Sequence, residues 1–138
     1  MIIRRAKPDD KPALLQLAQD FATSFAVEQA AFERSFDALL THPEAFLAVA
    51  EANNEIAGYV LGFDHPAFFA NGRVAWVEEI MVSEAFRRQG AGRKLMEAFE
   101  VWAAEREVKQ IALATRRAAN FYTTLGYEES AVYFRNRL

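Results

Sequence analysis

Apolar residues recur along the chain at two periods, and the changes of period divide it into elements. Ile2 to Ala6 reads as a short first strand. Pro8, Asp9, Asp10 and Pro12 then mark a helix start, because aspartate can cap free backbone N–H groups and proline is tolerated in a first turn. Leu14, Leu17, Ala18 and Phe21 follow at helical spacing. A second helical stretch runs from Val27 to Leu40, with Ala31, Phe32, Phe36 and Leu39 or Leu40 on one side. His42-Pro43 ends it.

The period shortens in the middle of the chain. Phe46 to Ala52 is a strand, Asn53-Asn54 a tight turn that tolerates positive φ, and Ile56 to Phe63 the returning strand. His65 to Gly72 reads as a loop carrying Pro66, Phe68 and Phe69. Val74 to Val82 is a third strand, with Glu78 and Glu79 inside it. Alternation along a strand would send these two carboxylates to opposite faces. Ser83 to Gln89 is a polar loop, and Gly90 to Glu107 a helix with Leu95, Phe99, Trp102 and Ala103 on one face. Gln110 to Ala114 is a short apolar strand. Arg116 to Leu125 is a short helix that Gly126 ends, and Tyr127 to Leu138 a closing strand. This order predicts an α/β (α+β) fold, a mixed sheet with helices on both faces.

Composition narrows the function classes. The 138 residues fit one domain, and 52% apolar with 25% charged residues allow a packed core. With no cysteine there is no disulfide, thiolate metal site or cysteine nucleophile. The two histidines, His42 and His65, are far apart, so no metal is expected, and His65 reads as a loop residue rather than a base. A net charge of −3 without a basic tract argues against a nucleic-acid partner. No signal-like or membrane-length apolar run occurs, so the expectation is a cytoplasmic protein with no membrane partner.

The sharpest local feature is Arg87-Arg88-Gln89-Gly90-Ala91-Gly92, between a strand end and a helix start. Glycines let a backbone turn tightly and let a phosphate approach without a Cβ in the way. The free N–H groups and dipole of the next helix favour an anion. It is not a Walker loop, because Gly92-Arg93-Lys94 lacks the required ending, nor a Rossmann fingerprint, because Leu95 stands where a small residue is needed. The plain alternative is a loop with two turn glycines and solvated arginines.

The wider context decides between these. Val77-Glu78-Glu79-Ile80-Met81-Val82, with Ser83 to Gly92 and Leu95-Met96, resembles motif A of the GNAT acetyltransferase superfamily. Ala118-Ala119-Asn120-Phe121-Tyr122-Thr123-Thr124-Leu125-Gly126-Tyr127 looks like its motif B. The opening Ile3 to Asp10 and the Asn53 to Tyr59 hairpin match its layout, so the resemblance spans the chain. It implies one domain over residues 1–138. It also implies a mixed, mostly antiparallel sheet of about six to seven strands with about four helices on both faces. The implied co-substrate is acetyl-CoA, with no metal.

The resemblance also implies roles. The backbone of Ile80, Met81 and Val82 would pair with the pantetheine arm, and an N–H at Met81 or Val82 would steady the carbonyl oxygen. Arg87, Arg88, Gln89, Gly90, Ala91, Gly92 and Arg93 would hold the pyrophosphate. Thr115 stands where the family often has an Asn against CoA, and Asn120 is the nearby candidate for that contact. Tyr122 would contact the cofactor and act as general acid, the alternative being a core aromatic beside Phe121. Glu78 or Glu79 would act as base through water, with Glu78 slightly favoured, the alternative being an exposed or salt-bridged carboxylate. Phe21, Phe25, Phe68 and Phe69 are the candidate acceptor-binding residues, each weighed against plain core packing. The expected function is acetyl transfer to a small-molecule or peptide amine, with a homodimer left open. The alternatives are a non-catalytic acyl-CoA-binding module and an α/β domain without a CoA site.

Overall fold

Alternating apolar side chains in the middle of the chain become an antiparallel meander. The computed structural model describes residues 1–22 and 25–138. In it β2 (Ala45–Ala52), β3 (Glu55–Ala67) and β4 (Gly72–Val82) run antiparallel in turn. β1 (Ile2–Arg5) joins β2 antiparallel and β5 (Val108–Leu113) joins β4 parallel, giving the order β1-β2-β3-β4-β5. Asn53 and Asn54 turn the first hairpin at φ values of 54° and 62°, the left-handed region that asparagine tolerates better than most residues.

Helices cover both faces. α1 (Lys11–Phe21) and α2 (Gln29–Leu40) lie on one side, α3 (Ala91–Glu105) and the short α4 (Ala119–Thr124) on the other. Leu14 and Leu17 of α1 and Phe36 of α2 pack with Leu47, Val49, Tyr59 and Leu61. Leu95, Met96, Phe99 and Trp102 of α3 pack with Phe46, Val60, Ala75 and Val77. Phe46, Phe99 and Trp102 form an aromatic triangle with ring centroids 5.3–5.9 Å apart. A Cβ on Gly62 would collide with the Phe99 ring and lie 2.8 Å from the Trp76 carbonyl oxygen, so this glycine lets α3 seat on the sheet.

Two expectations are corrected. Residues 64–67 continue β3 instead of looping, because Arg73 bonds back across the hairpin to Asp64 and keeps the two strands zipped. Residues 127–138 form no strand, so among the described residues five strands are present where six to seven were expected. An extended segment needs a partner edge to become a strand. This one reaches instead across the α1–α2 face. Tyr133 stacks on Trp76 with centroids 6.3 Å apart, and the Arg137 guanidinium lies 5.6 Å from the Phe25 ring centre.

Ion pairs lock the periphery. Arg4 holds Asp10 through two nitrogens at 2.8 and 2.9 Å and Glu51 through Nε at 3.1 Å, tying β1 to the start of α1. At the far end Asp64, 1% exposed, accepts Arg73 Nε and Arg106 Nε, each at 2.7 Å, and Arg106 Nη2 at 2.9 Å. One carboxylate thereby joins β3, β4 and the end of α3.

Burial opposes ionisation of Asp64, but the bonds from Arg73 and Arg106 outweigh it and hold the carboxyl below its ordinary range. A carboxyl depressed in the folded state stabilises above its unfolded pKa, and that contribution is lost as pH falls through the folded value. Asp64→Asn should therefore lower stability by about 3 kcal/mol at neutral pH. The difference from the parent protein should shrink below about pH 4. Urea melts across this range check both parts, and a pH-independent difference would contradict the assignment.

Candidate active site

The site begins with a break in strand register. Leu61 pairs with Glu79 while Gly62 pairs with Val77, so Glu78 is an extra residue in β4, a β-bulge. The bulge changes the phase of the strand. Val77 packs under α3, whereas Glu79 shares the α1–α2 face with its partner Leu61. Simple alternation of Glu78 and Glu79 therefore does not describe this strand.

The same place marks the end of the parallel ladder. The β4–β5 pairing stops at Val77 and Leu113, yet β4 continues to Val82 against β3 alone. From Glu78 onward β4 has an edge facing away from β3 that has no strand partner among the described residues. A cleft of about 1380 Å³ opens there and runs from α1 and α2, past this edge, to the start of α3.

The far end of the cleft suits an anion. Arg88 and Gly90 take φ values of 65° and 85°, which turns the chain sharply into α3. Gly90 is the N-cap and contributes no side chain, so the first-turn N–H groups, Ala91 to Arg93, face outward without a side-chain cap. No atom lies within 4 Å of where a Gly90 Cβ would stand, whereas a Gly92 Cβ would lie 3.2 Å from Phe121 of α4. Gly90 thus provides the turn and Gly92 the close approach of α3 to α4. Arg87 Nε bonds the Val82 carbonyl at 3.3 Å, and Arg116 and Arg117 line the opposite wall.

Tyr122 of α4 enters between these walls. Its ring is held edge-on by Phe121 and Tyr127, at centroid distances of 5.0 and 6.0 Å. Burial raises the pKa of its hydroxyl, which stays protonated at neutral pH. Among the described residues no group hydrogen-bonds to that hydroxyl. On the α1–α2 side the polar feature is a pair. Tyr59, buried on β3, donates its O–H to Glu79 Oε1 at 2.6 Å. Burial and then the Glu79 charge drive the Tyr59 pKa far up, so it remains a donor. Glu78 is exposed at the cleft edge.

The model of the acetyltransferase (GNAT) family matches residues 12–127, which spans the bulged strand, the Gly90 turn and Tyr122. The chain belongs to this family. The uncharacterized N-acetyltransferase YhfO of Bacillus subtilis is 27% identical over 135 residues, covering 94% of this chain and 91% of that protein. A transcriptional regulator from Bacillus halodurans shares the fold at a TM-score of 0.89, with 24% identity over 99% of both chains. Glucosamine-6-phosphate N-acetyltransferase from Arabidopsis thaliana does so at 0.87, with 19% identity over 99% of this chain and 97% of that one.

The GNAT cleft gathers most of the residues expected from sequence. Glu78, Glu79, Ile80, Met81, Val82, Arg87, Arg88, Gly90, Ala91, Gly92, Arg93, Tyr122, Phe21 and Phe25 all line it. Four do not. Phe68 and Phe69 sit exposed in the β3–β4 turn, at the opposite end of β4 from the cleft, because the long hairpin carries that turn away. Gln89 bonds back to the Ala85 carbonyl at 3.4 Å and is absent from the lining. Asn120 is exposed on α4, outside the lining, while Thr115 lines the wall and accepts the Ala118 N–H at 3.0 Å. Among the described residues no cluster of three acidic or histidine side chains is placed to hold a metal, and no helix is long and apolar enough to cross a membrane.

Sequence reasoning missed Tyr59, Phe32 and Phe36, which also line the cleft. The available signal was Tyr59 in an apolar strand antiparallel to an acidic pair. A hydrogen bond to a charged group contributes about 1.5–3 kcal/mol when buried, and less when part-exposed. A double-mutant cycle with Tyr59→Phe and Glu79→Gln should give a coupling of about 1 kcal/mol in denaturant melts. Additive effects would mean the pair is not formed in solution.

Proposed function

We propose that this GNAT protein is an N-acetyltransferase that moves an acetyl group from acetyl-CoA to a primary amine by direct attack. The observation that carries this reading is the parting of β4 from β5 beside the uncapped start of α3. An unpaired strand edge suits an extended amide-bearing arm, and the α3 turn suits a pyrophosphate. The local chemistry fits that ligand: no Cβ at Gly90, free N–H groups at residues 91–93, and Arg88, Arg93, Arg116 and Arg117 around them.

Acetyl-CoA supplies the acyl group as a thioester. The β4 edge at Ile80 to Val82 holds the arm, and an N–H there donates to the carbonyl oxygen as negative charge builds on it. One such donor contributes on the order of 3 kcal/mol. Glu79, held by Tyr59, takes a proton from the incoming ammonium through water, which an alkylamine with a pKa of about 10 requires at neutral pH. Tyr122, neutral and with its hydroxyl free, donates toward sulfur as the thioester breaks. A non-catalytic acyl-CoA-binding module is the weaker reading, since it gives no role to that hydroxyl.

The acceptor enters between α1 and α2. Phe21, Phe25, Phe32 and Phe36 line this half with the acids Asp20 and Glu28, and no lysine, arginine or histidine of α1 or α2 joins them. This lining favours a cationic amine with an apolar body over an acceptor that carries a phosphate.

Two measurements test the reading. Tyr122→Phe should keep its fold and its acetyl-CoA affinity by calorimetry, while CoA release with an active amine slows roughly 10²-fold. Parental turnover in that variant, with chemistry rate-limiting, would remove Tyr122 from the acid role. Glu79→Gln should lower kcat/KM most near pH 7, and the defect should shrink as pH approaches the amine's own pKa and free amine becomes abundant. Glu78→Gln, at the exposed bulge, should do less. A pH-independent defect in Glu79→Gln would mark a structural role instead.

A further inference from the structure

Tyr122 sits on α4, a helix of six residues, too short to hold its shape without outside contacts. The end of this helix closes on Tyr122 itself. The Gly126 N–H bonds the Thr123 carbonyl at 3.1 Å and the Tyr127 N–H bonds the Tyr122 carbonyl at 3.0 Å, with Gly126 at a φ of 97°. This is a Schellman closure, which turns the residue after the glycine back onto the last helical turn. Tyr127 therefore lies against Tyr122, with ring centroids 6.0 Å apart and planes at 72°. The Tyr127 hydroxyl is held in turn by α3, where it donates to Glu100 Oε2 at 2.7 Å. Burial, and then this bond, raise the Tyr127 pKa, so the hydroxyl stays a donor. Among the described residues no other side-chain hydrogen bond joins α3 to α4 or to its closing turn. Neither Tyr127 nor Glu100 lines the cleft.

We infer that Glu100 and Tyr127 are positioning residues, which hold the Tyr122 hydroxyl at a set place relative to the start of α3. The inference rests on the acid role proposed for Tyr122. Two rings flank Tyr122, Phe121 at 5.0 Å and Tyr127 at 6.0 Å, and both are seated on α3. Phe121 meets the helix at Gly92, where a Cβ would lie 3.2 Å from its ring, and Tyr127 meets it at Glu100. One rigid helix thus carries the N–H groups offered to the pyrophosphate and the two seats that fix the acid. A misplacement of about 1 Å in a reacting group can slow turnover as much as 10²-fold, so a bond outside the cleft can set the rate without touching the cofactor.

Tyr127→Phe keeps the ring and removes the bond, and Glu100→Ala removes the bond from the other side. Each should bind acetyl-CoA with the parental Kd by calorimetry, yet lower kcat about tenfold with an active amine, at unchanged KM for acetyl-CoA. Glu100→Gln keeps an acceptor oxygen and should recover most of the rate. In a Tyr122→Phe background, Tyr127→Phe should change kcat by less than about twofold, because the group it positions is gone. The ring signals of Tyr122, followed by NMR in tyrosine-labelled protein, give a readout apart from turnover. Glu100→Ala leaves both tyrosines in place and should shift those signals. With Tyr122→Phe slowed as proposed, a parental kcat in both Tyr127→Phe and Glu100→Ala, or the full tenfold loss repeated in the Tyr122→Phe background, would overturn the inference. A Tyr122→Phe variant with parental turnover would remove the acid role, and the ring signals would then decide the positioning by themselves. Tyr122 ring signals that do not move in Glu100→Ala would overturn it in either case.

Discussion

Parallel strands share a ladder only while their backbones stay about 4.8 Å apart, and the ladder between β4 and β5 stops at Val77 and Leu113. Everything that makes this a candidate catalyst lies beyond that point. The bulge at Glu78 supplies the local cause, since an extra residue bends its strand and increases its twist. The opposite end of β4 is clamped. Asp64, Arg73 and Arg106 join β3, β4 and the end of α3 through a buried carboxylate, and β4 and β5 pair over the same stretch. A strand fixed at one end and released at the other gives a wedge whose walls keep a set separation.

The bulge also sorts the chemistry by face. Val77 closes the core under α3, and the shift of phase lets Glu79 emerge on the α1–α2 side, where Tyr59 meets it at 2.6 Å. The acid and base of the proposed reaction thus come from different layers. Tyr122 belongs to the α3–α4 layer and Glu79 to the α1–α2 layer, with the free edge of β4 between them. Gly92 permits this closeness by letting α3 approach Phe121, the neighbour of Tyr122.

Much of this was legible in the sequence because it rests on local rules. Asn53-Asn54, Gly90 and Gly126 stand where positive φ is needed, and the α3 face of Leu95, Phe99, Trp102 and Ala103 is buried as its period implied. What was not legible depends on partners distant in sequence. The bulge is a mismatch between two strands, so neither strand alone reveals that Glu78 has no opposite number. Phe68 and Phe69 looked like pocket residues until the Asp64–Arg73 bond lengthened the hairpin and carried them away. The arm after Tyr127 has the composition of a strand, yet it lies across the α1–α2 face, where Tyr133 stacks on Trp76, and joins no ladder of the sheet.

The central claim is that the parted edge of β4 and the start of α3 together form the acetyl-CoA site. Backbone amide resonances followed by NMR during titration with acetyl-CoA test it most directly. The account predicts that the amides of Ile80 to Val82 and of Ala91 to Arg93 move together and saturate at one ligand per chain. Shifts confined to other surfaces, or movement of the α3 amides without those of β4, would contradict it.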